Sequence, residues 1–423
     1  MLDQSFSHSN LKRLIKNRGD NRRFGIGFNP DEIEDNFLQL EDLIKSEDFE
    51  FELFKKYKFN NKIFYWSDSF TNEFSLRKAN DNIRRLYKIS QSDRGKIIKQ
   101  TKKLLEEETP KYISRLDITS FYESVDKGIL LDSLLKDPLP SLDTKNLILK
   151  LLTENQFKDR HGLPRGLSIS ATLSEYYLRD FDQFVNNLDG VYFYARYVDD
   201  IIIFSFKNPQ GILSGIKKYL SKNKRLEINN SKSSGILEVA CRCYNECVCN
   251  NNCKCMKTCK CSKSSIQEIY NLDYLGYKFS FPKYPAKEKL KIRIADKKIK
   301  KIKSRIVNSF IDFSKNMDFL LLEKRIKFLT GNHAVVDGED GKLCSGIYYN
   351  YHLINNHSDL VELNNFLNSI IYSTSGYIGG KLRNKLDMSQ KERLRKNSFY
   401  FGFESKILHK FKYNEIKEIK KAW

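Results

Sequence analysis

The sequence predicts an α+β chain, and three observations carry that prediction. "GVYFYARYVDDIIIFSF" (190–206) reads as a strand, a tight acidic turn and a second strand. "KYISRLDITSFY" (111–122) also has strand character, with Ile113, Leu116 and Ile118 among polar neighbours. From residue 291 onward basic helices dominate, beginning with "DKKIKKIKSRIVNSFIDF", where Ile299, Ile302 and Ile306 share one face.

The remaining elements follow in chain order. Residues 1–110 are mixed, basic and largely helical, with a capping-like "SDRGK" ahead of a helical stretch. Residues 127–157 resemble one or two helices broken at "KDPLPSLD". "RHGLPRGLSIS" is a Gly/Pro turn, and "ATLSEYYLRDFDQFVNNL" continues as an amphipathic helix. "PQGILSGIKKYLSKNK" reads as a short helix and "RLEINNSKSSGILEV" as strand and turn. After a cysteine block, "YNLDYLGYKFSF" returns to alternating apolar residues.

The 74 basic against 53 acidic residues leave a formal charge of +21. Such an excess favours a polyanionic partner, because Lys and Arg release counterions when they neutralise phosphates. A membrane surface is the rival polyanion, but neither a lipidation signal nor a basic amphipathic anchor is visible. The start lacks the apolar core of a signal peptide, and no apolar run approaches the ~20 residues that span a bilayer. The expectation is a soluble, cytoplasmic chain with no membrane partner.

Adjacent buried carboxylates repel and are costly unless something positive neutralises them. Asp199 and Asp200 sit at a turn, where both can reach a shared cation. A two-metal phosphoryl-transfer site, with ions ~3.5–4 Å apart, wants a further carboxylate. Asp117 offers it, at the end of an apolar strand. A lone Asp at a strand end is usually a turn or cap residue. Three in this order, in so basic a chain, point to metal-assisted chemistry on phosphates.

These segments together resemble a family. "YVDD" flanked by strands resembles the hairpin of reverse transcriptases, and "RLDITSFYESVD" their first acidic motif. "GLPRGLSISATLSEYYL", "LEINNSKSSG" and "LDYLGYKF" are similar to the segments that follow, in matching order across about 110 to 280. The resemblance implies a right-hand polymerase of fingers, palm and thumb, with an antiparallel palm sheet and a largely helical C-terminal region. It implies residues 1–110 as N-terminal region and fingers, 111–240 as palm with intervening fingers helices, and 263–290 as the end of the palm. Residues 241–262 would then be a cysteine-rich insertion, and 291–423 the thumb and C-terminal region.

By position, the resemblance makes Asp117, Asp199 and Asp200 the ligands of two Mg2+, with the Ile118 carbonyl completing one shell. One ion would activate the primer 3′-hydroxyl and the other would clamp the dNTP and stabilise the leaving pyrophosphate. Tyr122 falls where a ring excludes a 2′-hydroxyl; the other reading is a core aromatic beside Phe121. Gly162 and Gly166 let the backbone approach nucleotide and template closely. Arg165 stands where Gln is common, leaving a donor that would face the incoming nucleotide but adding charge; Ala171 stands where Pro is frequent, and Glu175 where Asn is frequent. Lys232 matches the lysine that protonates pyrophosphate, and reads equally well as an exposed turn lysine. "YLGYKF", around Leu275 and Gly276, resembles the turn that grips the primer.

"SISATLSE", "RRLYKISQSDRGKIIKQ", "RIKFLTGNHAV" and "GIYYNYHLI" resemble the bacterial Abi-like and unknown-group reverse transcriptases of antiphage defence, most like the type 3 systems. In those, such a chain is one of two reverse transcriptases accompanied by a noncoding RNA. The implied activity is RNA-directed DNA synthesis, with an RNA template, dNTPs, a DNA product and a second reverse transcriptase subunit as partners. A nucleic-acid-binding scaffold with an inactive polymerase fold and an RNA-synthesising polymerase are the alternatives. The scaffold would be expected to lose a carboxylate, and Tyr122 favours dNTPs over NTPs.

"CRCYNECVCNNNCKCMKTCKC" repeats Cys-x-Cys every six residues: Cys241 and Cys243, Cys247 and Cys249, Cys253 and Cys255, Cys259 and Cys261. In an extended segment, residues two apart face one side, so each pair can offer two thiolates to one ion. Eight thiolates suit about two Zn2+ sites or a shared thiolate cluster. Disulfides and an Fe–S cluster are the other readings. Elsewhere Arg84, Arg85, Lys88, Arg94 and Lys96 form a basic group that could touch template, or simply a solvated face. Tyr348, Tyr349 and Tyr351 could stack on bases or pack in a core.

Overall fold

The computed structural model describes residues 2–423 apart from 17, 47, 60, 91, 108, 154, 240–268, 283–289 and 336–343. The eight clustered cysteines, Cys241 to Cys261, therefore lie outside the described residues. The chain divides into two compact units, residues 1–97 with 110–239 and residues 98–109 with 240–423.

The first unit contains an antiparallel hairpin of β1 (Lys55–Phe59) and β2 (Lys62–Trp66). Its main sheet comprises β3 (Lys111–Asp117), β4 (Val191–Tyr197), β5 (Asp200–Ser205) and β6 (Ser234–Val239), all antiparallel, in the order β4-β5-β3-β6. β5 is a central strand, and Ile201, Ile202, Ile203 and Phe204 are all buried. That burial explains why its sequence is an unbroken apolar run rather than an alternating one. Each of these side chains contributes ~1.5–3 kcal/mol by leaving water.

Ile201 and Ile203 share a core with Leu116, Ile118, Leu173 and Phe181. Leu173, Tyr177, Phe181 and Val185 recur at every fourth position of the helix Ser168–Asn186, giving it the apolar stripe that packs here. A second helix, Phe70–Leu86, starts at Ser69, whose side chain accepts from the Asn72 N–H. It packs on the Ser168–Asn186 helix. Arg84, Arg85, Lys88 and Lys96 are exposed, as a phosphate-facing or solvated group must be.

The second unit contains the antiparallel meander β7 (Ile269–Tyr274), β8 (Tyr277–Pro282) and β9 (Lys291–Ile294). Leu275 and Gly276 link β7 to β8, with φ of +46° and +84°. Two positive φ values in a two-residue loop are the mark of a primed hairpin turn. Residues 269–282, read from the sequence as the end of the palm, thus fall with the C-terminal segment. The hydrogen bonding explains this: β9 pairs with β8 and donates its Ile292 and Ile294 N–H groups to the side chains of Asn355 and Asp359, at 2.7 and 2.9 Å.

A further small sheet joins β10 (Asn332–Val335), β11 (Cys344–Gly346) and β12 (Leu408–Phe411), with β10 in the middle. The helix Asp296–Asn316 buries Ile299, Ile306, Phe310 and Phe313 and half-buries Ile302. Tyr348 packs edge-on against Phe403, and Tyr351 against Tyr277, whereas Tyr349 is exposed. Among the described residues, no helix is long and apolar enough to cross a membrane.

Candidate active site

Strand register brings two of the three carboxylates together. Asp117 ends β3 directly opposite Asp200, the first residue of β5. Residues paired in this way put their side chains on the same face of a sheet. Asp199 precedes Asp200 in a two-residue loop, Val198–Asp199, that closes the pair Tyr197 and Asp200. Val198 has φ of +59°, a left-handed conformation that a β-branched residue adopts only when its surroundings impose it. The Asp199 carbonyl accepts from the Ile118 N–H at 3.1 Å, which ties the loop to the end of β3.

The segment leading into β6 is stitched to the same place. The Asp117 carbonyl accepts from the Asn229 N–H at 2.7 Å, and the Asp117 N–H donates to Ser233 Oγ at 3.2 Å. Ile118 forms a bridge with Ile228, and the Thr119 N–H donates to the Glu227 carbonyl at 2.9 Å. This local weave carries Lys232 over the site. Its ammonium lies 3.3 Å from Asp117 Oδ2, with the Lys232 side chain half-exposed and Asp117 buried.

Asp200 Oδ1 accepts from Arg115 Nη2 at 2.7 Å. Arg115 stands two residues before Asp117 on β3, hence on the same face. Burial, foremost, pushes the Asp199 carboxyl above its usual range; the charges of Asp200 and Asp117 push in the same direction, and Lys232 opposes them. An anionic group crowded by two others is a place where a cation is welcome.

The donor set is all oxygen, which suits a hard divalent ion such as Mg2+ rather than a soft one. Among the described residues, no three His, Cys, Asp or Glu side chains are gathered around one point as an ion would require. Lys232 pairs with Asp117 and Arg115 with Asp200. The residues fit the ion by the chemistry of their donors and by the shared face of Asp117 and Asp200.

Tyr122 sits on the short helix Phe121–Ser124, half-buried, its ring 5.8 Å from that of Phe121. The Gly/Pro turn wraps this segment. The Leu163 N–H donates to the Tyr122 carbonyl at 2.7 Å, and the Tyr65 N–H donates to the Arg165 carbonyl at 2.7 Å. Arg165 forms a bidentate pair with Glu123 at 2.5 and 2.8 Å, its guanidinium 4.6 Å from the Tyr122 ring centre. The Glu123 bond pushes the Arg165 pKa further up, and the Arg165 bond, in turn, lowers that of Glu123. Gly166 has φ of +99° and packs its α-carbon against the Tyr65 backbone. Beside them lies a cleft of about 280 Å³, lined by Lys62, Arg160, His161 and Arg165 among others.

The structure thus places Asp117, Ile118, Asp199, Asp200 and Lys232 in one cluster, and Tyr122, Arg165 and Gly166 in a second within the same unit. Sequence reasoning missed Arg115, Ser233, Glu123 and Arg196. Arg115 had a signal, its two-residue offset from Asp117.

Residues 72–279 match the family model described as reverse transcriptase (RNA-dependent DNA polymerase). That stretch, just under half of the chain, resembles a reverse transcriptase domain. Reverse transcriptases of this kind are nucleotidyltransferases, and all three aspartates fall inside the matched stretch. The α+β polymerase fold read from the sequence agrees with this domain and with its antiparallel sheets. No curated protein matches the chain. Among solved structures it is similar to telomerase from Candida albicans in complex with a TWJ fragment of telomeric RNA, at 11% identity and a TM-score of 0.34. That similarity covers 82% of this chain and 56% of the other, so this chain spans little more than half of that structure's length.

Proposed function

We propose that the chain is an RNA-directed DNA polymerase that adds deoxynucleoside monophosphates to a 3′-hydroxyl. The observation that supports this most strongly is the register pairing of Asp117 with Asp200, with Asp199 beside them at the turn. Asp117, Asp199 and Asp200, with the Ile118 carbonyl, would hold Mg2+. Bound there, Mg2+ supplies Lewis-acid activation of the hydroxyl and charge neutralisation of the triphosphate. Lys232 is placed to give a proton to pyrophosphate once Asp117 is neutralised otherwise. Arg165, held by Glu123, orients the Tyr122 ring toward the incoming sugar. The test is incorporation of labelled dNTPs by purified protein with Mg2+ and its co-purifying RNA. Incorporation of NTPs but not dNTPs, or of neither, would sink the reading.

Tyr122 supplies a separate prediction. Tyr122→Val should raise incorporation of ribonucleotides relative to deoxynucleotides by about 10-fold or more, the ~1–3 kcal/mol that one steric contact supplies. Single-nucleotide kinetics with paired dNTP and NTP substrates measure it. An unchanged ratio would make Tyr122 a core aromatic only.

The finer reading places this polymerase in bacterial antiphage defence, in the cytoplasm, copying a dedicated noncoding RNA beside a second reverse transcriptase. Its support is the set of segments "SISATLSE", "RRLYKISQSDRGKIIKQ", "RIKFLTGNHAV" and "GIYYNYHLI". Sequencing of RNA bound to protein from its native host tests it; a random sample of cellular RNA counts against it. The Cys-x-Cys repeat supports Zn2+ held by Cys241 to Cys261. Elemental analysis should find about two zinc ions per chain, the number that eight thiolates satisfy at four each. Metal-free active protein would refute this.

A further inference from the structure

Arg196 is a charged residue in the strand that leads into the acidic turn, yet its side chain is 5% exposed. All five of its N–H groups are used. Nε and Nη2 donate to Asp182 at 2.8 and 2.6 Å, and Nη1 and Nη2 donate to Glu175 at 3.2 and 2.7 Å. The fifth, on Nη1, reaches the carbonyl of Val198 at 3.0 Å. Tyr194 donates its hydroxyl to the same Asp182, at 2.6 Å. Glu175 and Asp182 both project from the helix Ser168–Asn186, two turns apart.

A buried guanidinium with two carboxylates is a costly way to join a helix to a strand, since apolar residues would do so as well. Its distinguishing feature is the fifth bond. Val198 is the residue with left-handed φ, and such a conformation persists only where neighbours over-determine it. The Ile118 N–H fixes the next carbonyl, that of Asp199. Arg196 and Ile118 therefore hold two consecutive carbonyls of the loop.

We propose that Arg196 is a positioning residue for nucleotidyl transfer: fixed by Glu175 and Asp182, it holds the Val198 carbonyl and so keeps the turn in the shape that presents Asp199 and Asp200. The fork geometry is essential, because a lysine ammonium cannot serve two carboxylates and a carbonyl in one plane. The proposal rests on the polymerase reading for its kinetic consequence, but not for the turn itself.

Arg196→Lys keeps the charge. It should lower kcat for single-nucleotide addition by about 10- to 100-fold, with KM for dNTP within about threefold. Amide hydrogen exchange, read by mass spectrometry, should quicken in peptides covering 117–119 and 196–200 and stay unchanged elsewhere. Adding Val198→Gly, which tolerates the left-handed turn unaided, should restore most of the lost kcat. A role limited to joining helix and strand would not be relieved by a change in the loop. If Arg196→Lys does not fold, the charge-free combination Glu175→Gln, Asp182→Asn and Arg196→Met replaces it in both measurements. Unchanged exchange, unchanged kcat, or failure of Val198→Gly to restore activity overturns the proposal. If the wild type itself adds no nucleotide, the polymerase reading has failed, and exchange still decides whether Arg196 holds the turn.

Discussion

Asp199→Asn should lower nucleotide incorporation by about 10³-fold or more, the ~4 kcal/mol expected when a carboxylate is removed from a site that gathers divalent ions. The same change should raise the thermal midpoint of the metal-free protein at pH 7 by ~2–4 °C, corresponding to about 1 kcal/mol. Burial, then Asp200 and Asp117, hold the Asp199 carboxyl above its unfolded value of 3.8. A raised carboxyl pKa means that the folded state binds the proton more tightly than the unfolded chain does. That stabilisation is fully present below the unfolded value and is lost as pH rises through the folded one. At neutral pH the ionised Asp199 is therefore a liability that Asn removes. The gain should shrink as pH falls toward the raised value, where the wild type is protonated too. Adding Mg2+ should reverse the order, stabilising the wild type more than the variant. Melting curves with chelator and with Mg2+, across pH 4–8, read both effects. A variant no more stable than wild type in chelator would contradict the crowding of the three carboxylates.

Gly162→Ala should destabilise the first unit by about 3 kcal/mol or more, since neither its φ nor its neighbours can accept a methyl group. Gly162 has φ of +75°, and a β-carbon there would lie 2.3 Å from the Tyr122 carbonyl oxygen and 2.5 Å from the Glu123 α-carbon. Both are backbone atoms, so no side chain can rotate away. The shift would break the Leu163 N–H bond to the Tyr122 carbonyl, and it would move the Tyr122 ring. Gly211→Ala is the control. It lies in the helix Gln210–Lys224 with nothing within 4 Å of an added β-carbon. That change should be neutral or stabilise by up to ~1 kcal/mol. Denaturant midpoints of the two variants, with residual ribonucleotide discrimination, check the pair. Equal stability would mean that the Gly/Pro turn does not close on Tyr122.

How much of this was legible beforehand differs from residue to residue. Asp199 and Asp200 announced themselves, because two adjacent carboxylates interrupting an apolar and aromatic stretch are costly without a cation. The Leu275–Gly276 turn was legible through the resemblance of "YLGYKF", and the positive φ of Gly276 accounts for the glycine there. Arg196 carried the same kind of signal, a charge within "YFYARYVDD", but its partners sit on a helix whose placement along the sheet no local pattern fixes. Glu175 was noticed only as a departure from a family habit, yet the structure pairs it with Arg196. Arg165 was expected to face a nucleotide, and the structure places it against Glu123 and Tyr122. Forty-two positions separate that pair, so their meeting depends on how the loop closes rather than on spacing. The grouping of 269–282 with the C-terminal segment was hidden likewise, since it depends on hydrogen bonds to Asn355 and Asp359.

The bond from the Tyr65 amide to the Arg165 carbonyl has a mechanical meaning. It welds the tip-bearing β1–β2 ribbon to the Gly/Pro loop, and Arg165 and Leu163 weld that loop to the Tyr122 segment. The three pieces form a stiff crank, with Gly166 seated on Tyr65 as its bearing. Force applied to the ribbon would arrive at the Tyr122 ring instead of dissipating in slack chain.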